Sequence, residues 1–304
     1  MKRTLCLFLM LSLTVLAQNI ASKPTIPTTR SEMLVSTAWL AEHLNDKDLV
    51  VLCIVDDVDG FKKAHIPGAK AIAASEIAVT RDGIPNELPE TSQLVKIFER
   101  AGVTRNSHIV LYGDRAGLLA ARAYFTLDFL GLADHAALLD GGLEKWSREE
   151  RKIDSGENAA TKSDLLVNTK DHILVTDRAM QKISVQAVQK KLAILDARPK
   201  DEYTGEKLSE DVAEAGHIPG AKNVYWRELI ESIENPVLKP EKELRAIFER
   251  AGAEAGTPVV TYCRTGIQSS FDYFVAKYLG HEVRMYDASF LAWVKAGMSV
   301  EKSK

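Results

Sequence analysis

The sequence has no surplus of positive charge. Its 304 residues include 39 Lys and Arg against 42 Asp and Glu, which gives a formal net charge of -3 at pH 7. A protein that gathers nucleic-acid phosphates needs a broad basic field, so we expect no nucleic-acid partner. The composition, with 46% hydrophobic and 27% charged residues, is globular and excludes both a disordered chain and a multi-span membrane protein. The length suits two domains.

The apolar run at the N-terminus is too short to span a membrane. A positively charged start precedes an apolar stretch over residues 4–17, whereas a spanning helix needs roughly 20 apolar residues. This pattern is typical of a secretory signal. We predict a signal peptide over residues 1–21, cleaved after Ala17 or Ala21, and an exported protein that is not inserted in a membrane after processing. An uncleaved membrane anchor is the alternative.

Cysteine is scarce. The chain has three cysteines, and removal of the signal would leave only Cys53 and Cys263. In an oxidising compartment they form either a structural disulfide or two separate thiols. Cys53 lies in the apolar run Leu49–Val55, which predicts a strand and a packed core thiol. The different settings of the two cysteines argue against a disulfide, which stays open as an alternative.

The chain contains an internal repeat. The segment His65–Lys70 recurs letter for letter as His217–Lys222, and Ile97–Gly102 recurs as Ile247–Gly252. Two identical segments in the same order predict two copies of one domain. The predicted boundaries are 31–150 for the N-terminal domain, 151–182 for a polar linker and 183–304 for the C-terminal domain.

Short apolar runs alternate with helical patterns within each copy. In the second copy, residues 192–195 predict a strand that ends at Asp196, residues 258–262 predict a buried strand, and residues 269–279 predict a helix. This alternation is typical of an α/β fold in which a mainly parallel sheet carries helices on both faces. Ligands of such sheets bind at the carboxyl ends of strands, where helices begin.

Cys263 occupies such a strand end. It opens the loop Cys263–Gln268, which leads into the predicted helix. A tight loop at a helix N-terminus turns backbone N–H groups toward a common centre and adds the positive end of the helix dipole, which favours an anion. Helix N-termini and adjacent cations also make thiols more acidic. Together with Arg264, the loop therefore predicts a reactive, partly ionised Cys263, and Gly266 allows backbone conformations that a Cβ would forbid.

These features together resemble the rhodanese family, specifically the tandem-domain thiosulfate and 3-mercaptopyruvate sulfurtransferases. The resemblance rests on the Cys263 loop, the two His-Ile-Pro-Gly-Ala segments, Leu195–Arg198 and Asp140–Trp146. The N-terminal copy in this family has usually lost its cysteine, and Gly113 stands where Cys263 would align. The resemblance implies two α/β rhodanese-like domains, of which only the C-terminal one is catalytic.

The resemblance also implies the chemistry. The Cys263 thiolate would attack the outer sulfur of thiosulfate, release sulfite and keep the sulfur as a persulfide, from which cyanide or a thiol would remove it. The partners are then small molecules, no metal or organic cofactor is required, and a monomer is expected. The loop residues implied to bind the donor are Arg264, Thr265, Gly266, Ile267 and Gln268.

The identity of the donor stays open at this stage. Arg264 favours thiosulfate, because a dianion gains from a charge-assisted contact. Thr265 matches a hydroxyl of the 3-mercaptopyruvate pattern, whereas Glu202 replaces an arginine of that pattern. We predict a thiosulfate sulfurtransferase, with 3-mercaptopyruvate as the alternative donor and a persulfide relay to another protein as the alternative function. A Cys-dependent phosphatase is not expected, because Ser269 stands where its loop-closing arginine would be.

Arg198 and His65 complete the predicted substrate-binding set. Arg198 is expected to pair with Asp196 beside the active loop and is a candidate source of positive potential. His65 and His217 each precede a turn signal, which favours structural hydrogen bonds to backbone. His65 is the better candidate for binding, because the resemblance places it at the cleft between the domains. Arg115, in the loop without a cysteine, is interpreted as a remnant.

Overall fold

The structure, a computed structural model, describes residues 29–159 and 162–303, so the predicted signal peptide lies outside the described residues. The N-terminal half contains β1 (Leu34–Val35), α1 (Thr37–His43), β2 (Leu49–Val55), α2 (Val58–Lys63), β3 (Lys70–Ala73), α3 (Ala74–Ile77), β4 (Val79–Arg81), β5 (Ile84–Glu87), α4 (Thr91–Arg100), β6 (His108–Gly113), α5 (Leu118–Phe129), β7 (Ala136–Leu139) and α6 (Gly142–Arg148). The C-terminal half contains α7 (Asp177–Val188), β8 (Ala193–Asp196), α8 (Lys200–Thr204), β9 (Ala221–Asn223), α9 (Glu241–Arg250), β10 (Val259–Tyr262), α10 (Ile267–Tyr278), β11 (Val283–Met285) and α11 (Ser289–Lys295).

Each half is built on a parallel sheet. The strand order is β1-β7-β6-β2-β3 in the N-terminal half and β11-β10-β8-β9 in the C-terminal half, and every neighbouring pair is parallel. Strands β4 and β5 form a separate antiparallel pair. Strand β10 is buried at every residue, because helices cover both faces of such a sheet. The predicted α/β class with two tandem domains is confirmed.

The two halves share an apolar core where α5 packs on α10. Every residue of α5 is buried, as expected for a helix that is hydrophobic on all sides. Across the interface, Tyr124 meets Phe274 and Phe125 meets Tyr273, each pair edge to face with ring centroids 5.0 Å apart. This geometry stabilises aromatic pairs beyond their buried area. One hydrophobic cluster runs through both halves, so the interface is a continuation of the core.

The loop that begins at Cys263 is shorter than the sequence predicts. Helix α10 begins at Ile267 rather than at Ser269, because Gly266 turns the chain with φ +95° and the helix follows directly. Glycine adopts this left-handed conformation with little strain, because it has no Cβ atom. The loop between β10 and α10 therefore spans only 263–266, which brings Cys263 close to the first N–H groups of the helix.

The predicted linker, residues 151–182, is only partly a linker. Helix α7 begins within it at Asp177, because the Thr176 hydroxyl caps the helix by accepting the N–H of Ala179.

Among the described residues, no helix is both long enough and apolar enough to cross a bilayer.

Asp272 is a carboxyl group without a partner inside α10. Its side chain is fully buried, and no protein group of the described chain hydrogen bonds to either carboxyl oxygen. Burial raises the pKa of Asp272 well above its usual range, and Asp196 and Glu228 add repulsion. In the folded protein this carboxyl therefore holds its proton at pH values where the unfolded chain has lost it.

We expect Asp272→Asn to remove a pH-dependent cost of folding. Because the folded protein binds the extra proton, the free energy of unfolding of the native chain falls as pH rises above about 4, by up to about 1.4 kcal/mol per pH unit until the folded-state pKa is reached. The advantage of the variant should therefore grow as pH rises above about 4 toward the folded-state pKa of Asp272. Urea denaturation across this range measures it, with exposed Asp59→Asn as control. A difference that does not change with pH would contradict the assignment.

Candidate active site

Strand β10 delivers Cys263 to the carboxyl edge of the C-terminal sheet. The side chain is 2% exposed, and the backbone N–H of Gly266 donates to its Sγ atom at 3.1 Å. The N–H of Cys263 itself donates to the Ser289 hydroxyl at 3.2 Å, which fixes the cysteine backbone. The sulfur thus lies at the N-terminus of α10 with a backbone donor already directed at it, an arrangement that stabilises a sulfur anion.

A cavity of about 510 Å³ opens above this loop, between the two domains. The loop between β10 and α10 and the start of α10 contribute Cys263, Arg264, Thr265, Ile267 and Gln268. The rest of the C-terminal half contributes Glu202, Tyr225, Trp226, Arg227 and Ile233, and the N-terminal half contributes Asn86, Arg115, Ala116 and Leu118. Both copies of the repeat therefore build one site.

The structure brings the predicted loop residues together. Arg264 and Gln268 face the cavity, and no hydrogen bond or ion pair ties the Arg264 guanidinium to another group of residues 29–159 and 162–303. Thr265 accepts a hydrogen bond from the Asn86 side chain at 2.9 Å. Gly266 lies beneath the sulfur and contributes its N–H group. The loop thus offers one unpaired cation, one hydroxyl and one backbone donor.

His65 does not line the cavity, so the structure does not place it where the sequence predicts a contribution to the cleft. Its side chain is fully buried, Nδ1 bonds the carbonyl of Phe61 at 2.9 Å, and Nε2 lies 3.0 Å from the Asn158 amide. His217 in the second copy bonds the Tyr203 carbonyl in the same way. Each imidazole thus bonds a backbone carbonyl that precedes its Ile-Pro-Gly segment, Phe61 for His65 and Tyr203 for His217.

Arg198 also lies outside the cavity. It is 1% exposed, pairs with Asp196 at 2.6 Å and donates to the Gly216 carbonyl at 2.8 Å. Its guanidinium stacks on Phe290, 4.0 Å from the ring centroid. Since all its polar contacts are internal, the structural interpretation of the pair holds, and the predicted role of Arg198 in substrate binding is corrected.

Two arginines that line the cavity are not in the substrate-binding set predicted from the sequence. Arg115, interpreted as a remnant, lines the cavity from the N-terminal half, where Asp56 holds its guanidinium at 2.5–2.7 Å. Its place in the loop that corresponds to the Cys263 loop was the available signal. Arg227 lies 5.5 Å from the Trp226 ring centroid, and nothing in its local sequence marks it, because only the fold brings it opposite Cys263.

The N-terminal copy cannot carry a cysteine at the equivalent position in its present form. A Cβ atom at Gly113 would lie 2.3 Å from the carbonyl oxygen of Ile54 on the neighbouring strand. That separation is far below any normal contact, so a side chain at this position would force the two strands apart. The loss of the thiol in this copy is thus built into the backbone as well as the sequence.

Cys53 is a core thiol. It lies on β2, in the N-terminal half, and both Cys53 and Cys263 are free and buried. Burial raises the pKa of Cys53 to about 12, although a hydrogen bond with Tyr112 lowers it in part. The alternative of a disulfide between the two cysteines is therefore not realised in the structure.

We expect alkylation to separate the two thiols. In a Cys6→Ser background at about pH 7, iodoacetamide should modify Cys263 while Cys53 stays unmodified, because the thiolate is the reacting form. Peptide mapping after timed quenching measures both sites, and the unfolded protein is the control in which both react. Equal labelling rates in the folded protein would contradict the assignment of Cys53 to the core.

No group of three or more His, Cys, Asp or Glu side chains in the described part of the chain is arranged to hold a metal ion. The features found instead are a strand-end thiol, a backbone N–H directed at sulfur, and a cavity with three arginines. They define a class of protein: a two-domain α/β protein with a strand-end cysteine in a loop that directs a backbone N–H at its sulfur, a setting typical of nucleophilic thiols.

The chain belongs to the rhodanese-like domain family, whose model matches residues 36–149 and 177–296. The sulfur carrier protein TtuD of Thermus thermophilus is 34% identical over 86% of this chain and 93% of its own. A protein of Saccharopolyspora erythraea, provisionally named a thiosulfate sulfurtransferase, is 30% identical over 89% of this chain and 95% of its own. The crystal structure of SseA from Escherichia coli, described as a 3-mercaptopyruvate sulfotransferase, superposes with a TM-score of 0.74 at 25% identity, covering 85% of this chain and 98% of its own.

Proposed function

We propose that this chain is a sulfurtransferase that moves sulfur from thiosulfate, through a persulfide on Cys263, to a thiol or cyanide. The observation that carries the proposal is the Gly266 N–H donating to Sγ of Cys263 at the floor of an arginine-lined cavity. One relative is provisionally named a thiosulfate sulfurtransferase, and one related crystal structure is described as a 3-mercaptopyruvate sulfotransferase. No step requires a metal or an organic cofactor.

The reaction balances without an external oxidant or reductant. The Cys263 thiolate attacks the outer sulfur of thiosulfate, a new S–S bond forms, and sulfite leaves with the electron pair of the broken bond. The persulfide then carries its charge on the terminal sulfur, where loop N–H groups stabilise it. An acceptor thiolate or cyanide attacks that terminal sulfur, and the Cys263 thiolate is the leaving group.

The charges of the cavity favour a dianionic donor. Arg115, Arg227 and Arg264 line it together with one acid, Glu202, whose carboxylate accepts a hydrogen bond from Ser209 at 2.5 Å. An unpaired guanidinium such as that of Arg264 gives charge-assisted hydrogen bonds to an oxyanion. Glu202 stands where the 3-mercaptopyruvate pattern has an arginine, so this position offers no cation to the carboxylate of that donor. Thiosulfate is therefore the proposed donor.

We expect Arg264→Gly to lower kcat/KM selectively with thiosulfate. The loss of one charge-assisted hydrogen bond corresponds to about 10- to 100-fold, and the effect on 3-mercaptopyruvate should be much smaller. Steady-state assays with both donors measure the ratio, and exposed Arg105→Gly, which removes the same charge far from the cavity, is the matched control. Equal losses with both donors would remove the case for Arg264 as the donor selector.

A persulfide relay is the second candidate, and the 34% identical sulfur carrier protein favours it. A relay would use the same Cys263 persulfide but would hand its sulfur to a protein thiol. The two functions separate in one experiment: an enzyme turns over many times with thiosulfate and cyanide, whereas a relay loads one sulfur and waits for its partner. Stable loading without turnover would favour the relay.

We also propose that the protein is exported and that its signal peptide is cleaved after Ala17 or Ala21. The mature protein is proposed to be a monomer. The support is the positively charged start and the apolar run over residues 4–17, which fall short of a membrane-spanning helix. N-terminal sequencing of the protein recovered from each cell fraction tests export and cleavage together. An intact N-terminus in the membrane fraction would favour the uncleaved anchor, and sedimentation of the recovered protein tests the monomer.

A further inference from the structure

The N-terminal domain makes a direct contact with the loop that begins at Cys263. Asn86, on β5 of the N-terminal half, donates from its side-chain amide to the Thr265 hydroxyl at 2.9 Å. Its backbone is left-handed, with φ +67°, a conformation that asparagine tolerates better than most residues. The carbonyl of Asn86 accepts a hydrogen bond from Arg122 at 2.7 Å, which holds this conformation in place.

A second contact crosses the interface beside the first. Arg122 on α5 is fully buried and pairs with Asp287, which follows β11 in the C-terminal half. The other carboxylate oxygen of Asp287 accepts the backbone N–H of Leu88 at 2.9 Å. The carboxylate is therefore held by the N-terminal half on both of its oxygens, although it belongs to the catalytic half.

Asp287 in turn packs against the loop glycine. A Cβ atom at Gly266 would lie 2.6 Å from Oδ1 of Asp287 and 2.8 Å from its backbone oxygen. The N–H group of this same glycine donates to Sγ of Cys263. Any displacement of Asp287 therefore reaches the donor that stabilises the sulfur anion.

The two contacts have distinct chemical consequences. Because the Thr265 oxygen accepts from Asn86, its own hydroxyl hydrogen is available to donate to an anion in the cavity. The Asp287 carboxylate, packed against a loop that must hold an anionic sulfur, would repel it. The Arg122 guanidinium neutralises that carboxylate in a low-dielectric setting, where charge interactions are strong.

We propose that Asn86 and Arg122 of the N-terminal domain are positioning residues for catalysis by Cys263. Asn86 orients the Thr265 hydroxyl as a donor toward the cavity. Arg122 holds Asp287 against Gly266 and cancels its charge. The inference rests on the proposed function where turnover with thiosulfate is measured. The reactivity of the Cys263 thiol toward an alkylating reagent is measurable without any sulfur donor.

A double-mutant cycle tests the first contact. Asn86→Ala should lower kcat/KM with thiosulfate by about 2- to 12-fold, the range of one hydrogen bond, and should have little further effect in a Thr265→Val background. Tyr273→Phe is the control, because it removes a hydrogen bond to Asp128 across the same interface but away from the loop. Additive losses from Asn86→Ala and Thr265→Val, or an equal loss in Tyr273→Phe, would overturn the role of Asn86.

A charge-rescue pair tests the second contact. Arg122→Met should slow iodoacetamide alkylation of Cys263 at about pH 7, and Arg122→Lys, which keeps the cation, should restore part of the rate. Thermal unfolding of both variants identifies any that fail to fold, since breaking a buried ion pair is strongly destabilising. If Arg122→Met does not fold, the alkylation rate of Arg122→Lys is compared directly with that of the native protein. Native-like alkylation in every folded Arg122 variant would overturn the role of Arg122, whereas native protein that alkylates but never turns over would instead refute the proposed function.

Discussion

Cys263→Ser should abolish sulfur transfer, with a loss of at least about a thousandfold in turnover with thiosulfate. A serine hydroxyl is not ionised near neutrality and cannot form a persulfide, so the covalent route is closed. Folding should be almost unaffected, because serine differs from cysteine by one atom and the backbone contacts of the loop remain.

Cys53→Ser is the matched control for this experiment. Cys53 is as well buried as Cys263, at 4% against 2% exposure, but it lies on β2, away from the cavity. Its replacement should lower the midpoint of thermal unfolding while leaving the turnover of the folded protein intact. Residual turnover in Cys263→Ser, or loss of turnover in Cys53→Ser, would show that the catalytic thiol has been misassigned.

Gly266→Ala should cost about 100-fold in turnover, the scale of an ångström-sized misplacement at a reacting centre. The added Cβ would lie 2.6 Å from Oδ1 of Asp287, and the backbone φ of +95° disfavours any side chain. Relief of this contact requires the loop to move, which carries the Gly266 N–H away from the sulfur. Steady-state assays and the alkylation rate of Cys263 measure the change.

Gly252→Ala separates this clash from simple backbone strain. Gly252 also has a left-handed backbone, with φ +81°, but a Cβ there meets nothing within 4 Å. It follows α9 and lies outside the cavity, so it should lose stability without losing turnover. If both alanine variants lost turnover equally, the close contact between Gly266 and Asp287 would not explain the effect.

The sequence was sufficient to predict those features that depend on local order. The repeat of His65–Lys70 as His217–Lys222 predicted two copies of one domain, and the alternation of apolar runs with helical patterns predicted parallel sheets. The position of Cys263 at a strand end predicted the loop. Each of these features depends on residues close together in the chain, where spacing alone carries the information.

The features that were missed depend on long-range contacts. Asn86 reaches the cavity only because the two halves pack through α5 and α10, and Arg227 reaches it only through the fold of the C-terminal half. No local pattern in the sequence reports either arrangement. Motif position predicts His65 and Arg198 at the site, but both side chains are hydrogen bonded within their own domain. Buried polar groups are paired before they are available to a ligand, and those partners lie far away in sequence.

The N-terminal half is thus more than an inactive duplicate. It lacks the thiol and has no room for one at Gly113, yet it supplies Asn86, Arg115 and part of the cavity wall. Arg122 from the same half neutralises an acid that packs against the catalytic loop.

Mass spectrometry of the protein after incubation with thiosulfate tests the central claim most directly. The account predicts one added sulfur atom, located by peptide mapping on Cys263, absent in Cys263→Ser and removed by cyanide with release of thiocyanate. A chain that gains no sulfur, gains it at Cys53, or carries a crosslink between Cys53 and Cys263 would contradict the account.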